Sequence, residues 1–245
     1  MTGPADGDAV KLGPDGHPRR GAQMTRLETF TDAAFAFAAA LLAVSIDEIP
    51  GNYQELVEAM KGAPAFIASF AILFLFWRAH QVWSDKFGLE DLRSTLLTAG
   101  LVVVIMIYVY PLKILFSAGL STATGGWLPS DFELASLHHF RVMVTVYGIG
   151  FAAVAGVVGG LYLNAVSFRE ELAMSAKELY DTRSEALAWF IVALFGITSC
   201  ILAWLLDGPW VSVSAWMYNL LIVYGPLFSW LQKRTWQKRV AQGRV

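Results

Sequence analysis

The sequence is poor in charge. Asp, Glu, Lys and Arg make up 16% of its 245 residues, where soluble domains run near a quarter. That scarcity excludes an ordinary soluble domain and leaves a membrane protein, in keeping with the 56% of apolar residues. The net charge of −2 singles out no partner, because the charges cluster at the ends of apolar runs, and no nucleic-acid partner is expected. Cysteine is nearly absent: Cys200 stands alone, so an intrachain disulfide is excluded and a small buried hydrophobe is expected there. There is no metal-ligand spacing, no phosphate-binding glycine loop and no nucleophile motif. No cofactor, no metal and no enzyme activity are therefore expected. His138 and His139 lie near Asp131 and Glu133, but adjacent residues on a helix point different ways, so a solvated outer surface is the expectation.

What is abundant is long apolar runs. Six stand out, near 28–47, 63–83, 94–117, 137–165, 184–206 and 210–231. Each suits a membrane helix, which needs ~20 mostly apolar residues. Residues 1–24 are rich in Gly, Pro and Asp with no apolar run, and are expected to form a disordered cytoplasmic tail. Residues 25–232 form the expected six-helix transmembrane domain, and 233–245 a basic cytoplasmic tail. A short amphipathic piece from Tyr53 to Lys61 is expected at the interface. Lys and Arg collect before the first run, between the second and third, between the fourth and fifth, and after the sixth. This bias predicts both termini on the cytoplasmic side.

The first run carries the most information. From Thr29 to Ile46 it is apolar except for Thr29, Thr31, Asp32 and Ser45. A carboxylate inside a membrane helix costs roughly 2.5–3.5 kcal/mol at the centre, so Asp32 needs a partner within the protein. At 100° per residue, Phe30, Leu41, Val44 and Glu48 fall within about 40° of Phe37, and Asp32 about 140° away. One face is thus a bulky apolar stripe ending in Asp47 and Glu48. Flanking alanines, Ala33, Ala36, Ala40 and Ala43, allow close helix approach. Trp77 and His80 in the second run lie at the depth of Asp32, and either N–H could satisfy it. Pro111 in the third run reads as a helix kink.

The fourth run contains Thr145-Val-Tyr-Gly148-Ile-Gly150. It has the wrong residue order for a carbonyl-type potassium filter and lies in an unbroken apolar span. Its glycines, with Gly156-x-x-x-Gly160, are assigned to helix packing.

Arg26-x-x-x-Phe30-Thr31-Asp32-Ala33 resembles the signature of the transmembrane protein 175 family, with threonine for the usual serine. Trp77-x-x-His80 matches that family's second helix. The resemblance implies a potassium-permeable channel in the cell membrane, a homotetramer in which helix one of each subunit lines the pore. It implies a helix-locking network of Arg26, Phe30, Thr31 and Asp32 with Trp77 and His80. Carried over by position, the family's apolar constriction falls on Phe37, Leu41 and Val44, with Asp47 and Glu48 at the outer mouth. Phe37 stands where isoleucine is usual, and Ala40 where a pore-facing threonine is usual. The implied partners are potassium ions, the lipid bilayer and further copies of the chain. Two other readings compete: a proton-linked transporter using Asp32 and His80, and a non-conducting membrane scaffold.

Overall fold

The structure, a computed structural model, describes residues 12–13, 16–21, 24–43, 50–130, 132 and 135–242. Helix follows helix, and among the described residues there is no strand beyond a single bridge between Leu12 and Pro18. The elements are α1 (Arg26–Ala43), α2 (Tyr53–Lys61), α3 (Ala63–Phe87), α4 (Leu92–Ala123), α5 (Leu137–Ser167), α6 (Ala176–Leu205), a short α7 (Val213–Trp216) between two 3-10 turns, and α8 (Leu220–Ala241). Among the described residues, five stretches are long and apolar enough to cross a membrane: Tyr53–Phe87, Leu92–Ala123, Leu137–Ser167, Ala176–Leu205 and Gly208–Ala241. The sixth long helix, α1, carries Arg26, Glu28 and Asp32 among its 18 described residues.

The helix starts follow from local chemistry. Thr25 and Glu28 form a reciprocal capping box at α1: the Glu28 N–H donates to Thr25 Oγ1 (3.1 Å), and the Thr25 N–H to Glu28 Oε2 (2.8 Å). Asn52, Asp91, Ser136 and Ser175 cap α2, α4, α5 and α6 by accepting backbone N–H bonds. Gly88, left-handed at φ 58°, ends α3. At Asp91, burial pushes the carboxyl pKa up, but hydrogen bonds from Ser94, Asn164 and the Arg93 and Ser94 backbone outweigh it and hold the pKa below the usual value.

Helix α5 is the centre of the bundle, with fourteen buried residues, and it packs on α4 and α6. Helix α1 packs on α3 and α4, whereas α8 has no buried residue and rests on α6. The α5–α6 contact is closest at Gly148 and Gly196, where a methyl group on either would press on the other's backbone oxygen. Gly150 receives the Tyr108 ring and Gly159 the Phe190 ring. Gly156 faces open space and Gly160 makes only ordinary contact with Leu97. The spaced pair singled out in the sequence is therefore not the tight contact. Thr145–Gly150 lies wholly within α5, and α4 runs on through Pro111.

Before α1, where a disordered tail is expected, the described residues include a stretch held by specific contacts. Residues 17–21 lie as a strap across one end of the bundle. Backbone N–H groups of Arg20 and Gly21 donate to the Lys86 and Asp85 carbonyls at the end of α3 (3.4 and 3.1 Å). Arg19 pairs with Asp85 (2.7 Å), and His17 with Asp181 (2.8 Å). The Arg20 guanidinium donates to both Glu178 oxygens (2.7 and 3.1 Å) and to the Leu172 carbonyl (2.7 Å). The cause is specific pairing: composition shows polar residues but not the buried acid that awaits one of them. Likewise 233–241 is not a separate tail but the continuing last turns of α8.

Glu178 is only 1% exposed. Arg20→Ala strands its charge, a loss of about 3 kcal/mol for a buried pair broken on one side. Thermal unfolding in detergent should show that loss, and Arg20→Ala/Glu178→Gln should recover part of it. A double variant no better than the single one would mean the charge of Glu178 is not the cause.

Candidate pore helix and its supporting contacts

Helix α1 has two unlike sides. Thr31, Phe35, Ala38 and Leu42 are buried against the bundle. Arg26, Thr29, Phe30, Ala33, Ala36, Phe37, Ala40 and Ala43 are exposed. Phe35 is 4% exposed and Phe37 56%, so the two phenylalanines, about 160° apart on the wheel, have opposite surroundings. Leu41 sits at the edge of the exposed stripe, half-buried and touching the core. Val44, Asp47 and Glu48 lie outside the described residues.

Small side chains set this stripe apart. Four of its eight residues are alanines. The exposed apolar residues of other spans are large: Ile67, Phe70, Phe74 and Leu75 on α3, and Leu187, Leu194, Ile197 and Ile201 on α6. A face of alanines lets like helices come close around an axis, which a face of leucines does not.

The inner side of α1 is fastened to α3 by two rungs. The Trp77 indole N–H donates to Asp32 Oδ1 (2.8 Å), and the Ser84 hydroxyl donates to Glu28 Oε1 (2.5 Å). Glu28 and Asp32 are one turn apart on α1, and Trp77 and Ser84 two turns apart on α3, so each pair shares a face. The Phe74 ring packs on Trp77 with centroids 5.2 Å apart. A groove of about 320 Å³ runs between the helices, lined by Asp32, Phe35, Ala36, Phe70, Phe74 and Trp77.

Of the expected network, His80 goes elsewhere. It is buried, with Nε2 3.2 Å from Thr98 Oγ1 on α4. Trp77 and His80 are three residues apart, about 60° around the helix, so α3 turns the indole to α1 and the imidazole to α4. Thr31 is buried but donates its hydroxyl to the Leu27 carbonyl of its own helix (2.8 Å). Arg26 and Phe30 are exposed. Glu28, Ser84 and Thr98 are the contact residues that sequence reasoning missed. The one sequence trace was Glu28 a turn before Asp32. His138 and His139 are exposed, and the described residues contain no group of three metal-ligating side chains.

Trp77→Phe keeps an aromatic ring and removes the indole N–H, the donor to Asp32 among the described residues. The expected cost is ~1–3 kcal/mol, the penalty for an acceptor left unsatisfied away from water. Asp32→Ala should likewise lower yield and thermal stability. Equal stability of both variants with altered permeation would show instead that Asp32 acts on the ion path.

The comparisons with known proteins bear on the family and the fold. The profile of the family described as "Endosomal/lysosomal potassium channel TMEM175" matches residues 26–111, which span α1 to the middle of α4. A "Potassium channel" from Marivirga tractuosa is 31% identical over 232 residues, 89% of this chain and 93% of the relative. The crystal structure of a variant of the potassium channel MtTMEM175, in complex with a nanobody–MBP fusion, matches with a TM-score of 0.76 at 28% identity, over 93% of this chain and 100% of that one. A relative of that similarity along nearly its whole length, the matched profile over the signature helices and the shared fold lead to one assignment: the chain is a member of the TMEM175 family.

Proposed function

We propose that the protein is a potassium-permeable cation channel, assembled as a homotetramer in the cell membrane, with α1 of each subunit around the axis. The observation that supports this most is the exposed, alanine-rich stripe of α1 with Phe37 in its middle. Four such stripes meet closely, and Phe37, with Leu41 at its edge and Val44 beyond, forms stacked apolar rings about one helical turn apart. These rings offer an ion no oxygen, so they close the path by dewetting. Discrimination then comes from the width of the constriction rather than from carbonyl coordination. Asp47 and Glu48 supply cation-attracting rings at the outer mouth. Both termini are cytoplasmic, and residues 25–232 form the conducting body. The names of the relatives support potassium as the permeant ion.

Purified protein in liposomes tests the reading. Potassium influx and single-channel currents are expected, with sodium influx smaller. Flux without unitary currents would favour a carrier, and neither would leave a scaffold.

A further inference from the structure

A cleft of about 350 Å³ opens between the first turns of α6 and the last turns of α8, and the channel reading does not use it. Its wall includes Tyr180, Arg183, Ser184, Leu187, Trp236 and Arg239. The Tyr180 and Trp236 rings pack together, centroids 5.1 Å apart. The Arg239 guanidinium lies over the Tyr180 ring at 5.1 Å. Arg183 follows Tyr180 by three residues on α6, so it shares its face.

Among the described residues neither arginine is paired with an acid, and Arg239 meets the Tyr180 ring. Each carries five N–H donors, and among the described residues neither guanidinium has a hydrogen-bond acceptor or a carboxylate partner. The acids of α6 nearby are engaged elsewhere. Glu178 binds Arg20. Asp181 is held by His17, Lys177 and Gln232. Glu185 is two residues beyond Arg183, about 160° around the helix, and so faces away from it. Lys233, Arg234 and Lys238 add further positive charge on α8.

The cleft lies where apolar helix gives way to charge. No charged residue occurs on α6 from Ala186 to Leu205, nor on α8 from Leu220 to Leu231. Arg183 stands just before the α6 run and Arg239 about two turns beyond the α8 run, on the polar side of both, and Trp236 between them suits an interfacial anchor. Leu187, 56% exposed, forms the membrane-side edge. Two guanidiniums match the planar, bidentate recognition of a phosphate. An aromatic wall and a leucine edge suit the glycerol and acyl chain behind it, which free phosphate lacks.

We propose that this cleft binds the phosphate of an anionic membrane phospholipid from the leaflet on the side of the chain termini. The lipid bridges Arg183 of α6 and Arg239 of α8. That bridge matters because α8 has no buried residue. Its polar ties to α6 are few: Tyr180 Oη to the Gln232 carbonyl (3.3 Å), Tyr224 Oη to the Ala188 carbonyl (3.2 Å) and Gln232 Nε2 to Asp181 (3.1 Å).

The test uses the full chain, first shown to be folded by size exclusion, in nanodiscs of phosphatidylcholine with graded phosphatidylglycerol. Bound phosphatidylglycerol is counted by native mass spectrometry after extraction, and unfolding is followed thermally. Each arginine lost should weaken retention about fivefold, and the pair roughly 25-fold, the factor expected per basic residue at an anionic surface. Arg183→Gln/Arg239→Gln should also lose the rise in melting temperature that phosphatidylglycerol gives the parent chain. Should the pair fail to fold, Arg183→Gln and Arg239→Gln singly carry the same fivefold expectation. Arg183→Lys/Arg239→Lys keeps the charge but loses the bidentate fork, so its retention should fall between that of the parent and that of the glutamine pair, and Lys61→Gln, at the other end of the bundle, should keep all of it. Unchanged retention in the glutamine variants overturns the proposal, as does an equal loss with Lys61→Gln. Displacement of the lipid by millimolar inorganic phosphate also overturns it, in favour of a free-phosphate site.

Discussion

Replacing Phe37 by alanine raises the resting ion flux, on the order of tenfold, which is the factor that ~1.4 kcal/mol off a barrier provides. It also narrows the difference between potassium and sodium entry. The ring is a bulky side chain in the middle of the exposed stripe of α1, with Ala33, Ala36 and Ala40 exposed around it. In the proposed tetramer four copies face the axis and exclude water, and an ion cannot shed its hydration shell where nothing replaces it. Trimming the ring to a methyl group widens and wets that level. Because Phe37 is 56% exposed, the subunit itself loses little packing. Phe35→Ala does the opposite. Its ring is 4% exposed and belongs to the main core cluster, so its loss costs ~3–5 kcal/mol by cavity formation and leaves selectivity alone in whatever protein still folds. Liposome flux at matched protein amounts, beside thermal unfolding, separates the two. Unchanged flux in Phe37→Ala with altered selectivity in Phe35→Ala would turn the pore face around.

Gly196→Ala abolishes the folded bundle or destabilises it by about 3 kcal/mol or more, beyond ordinary overpacking. A methyl group at Gly196 would stand 2.5 Å from the Gly148 carbonyl oxygen and 3.0 Å from the Ala152 N and Cβ. The reverse substitution meets the Gly196 carbonyl at 2.8 Å and the Cys200 sulfur at 2.6 Å. These obstacles are mostly backbone, which cannot rotate aside as a side chain does. Separating α5 from α6 would disturb the most buried helix of the molecule. Gly156→Ala is the contrast. Nothing lies within 4 Å of its methyl position, so it should be neutral or gain up to ~1 kcal/mol in helix propensity. Size exclusion and melting curves in one detergent measure both. Similar melting temperatures for the two variants would show that α5 and α6 are not in contact at this glycine pair.

The candidate site was legible where periodicity alone decides. The opposed directions of Phe35 and Phe37 follow from the wheel, because a helix under an asymmetric environment must bury one face. The need of Asp32 for a partner follows from the cost of a carboxylate in hydrocarbon. The choice between Trp77 and His80 did not follow, since both lie on neighbouring faces of α3 and only its rotation assigns one to Asp32 and the other to Thr98. The strap from His17 to Gly21 was illegible for a related reason. Its polar composition is that of a tail, and its order depends on Glu178 and Asp85, more than sixty residues away in sequence.

By itself the sequence determined the all-helical membrane class, the long helices and the acid that must be satisfied in α1. The reason is that a bilayer forces each spanning segment to close its own backbone hydrogen bonds, so span and composition are written locally. Only the tertiary structure decided which glycines touch, where His80 turns, that the N-terminal strap is held, and that two arginines of distant helices share one cleft. Those outcomes depend on the rotation and closeness of helices about each other, which side-chain packing sets and no single segment contains.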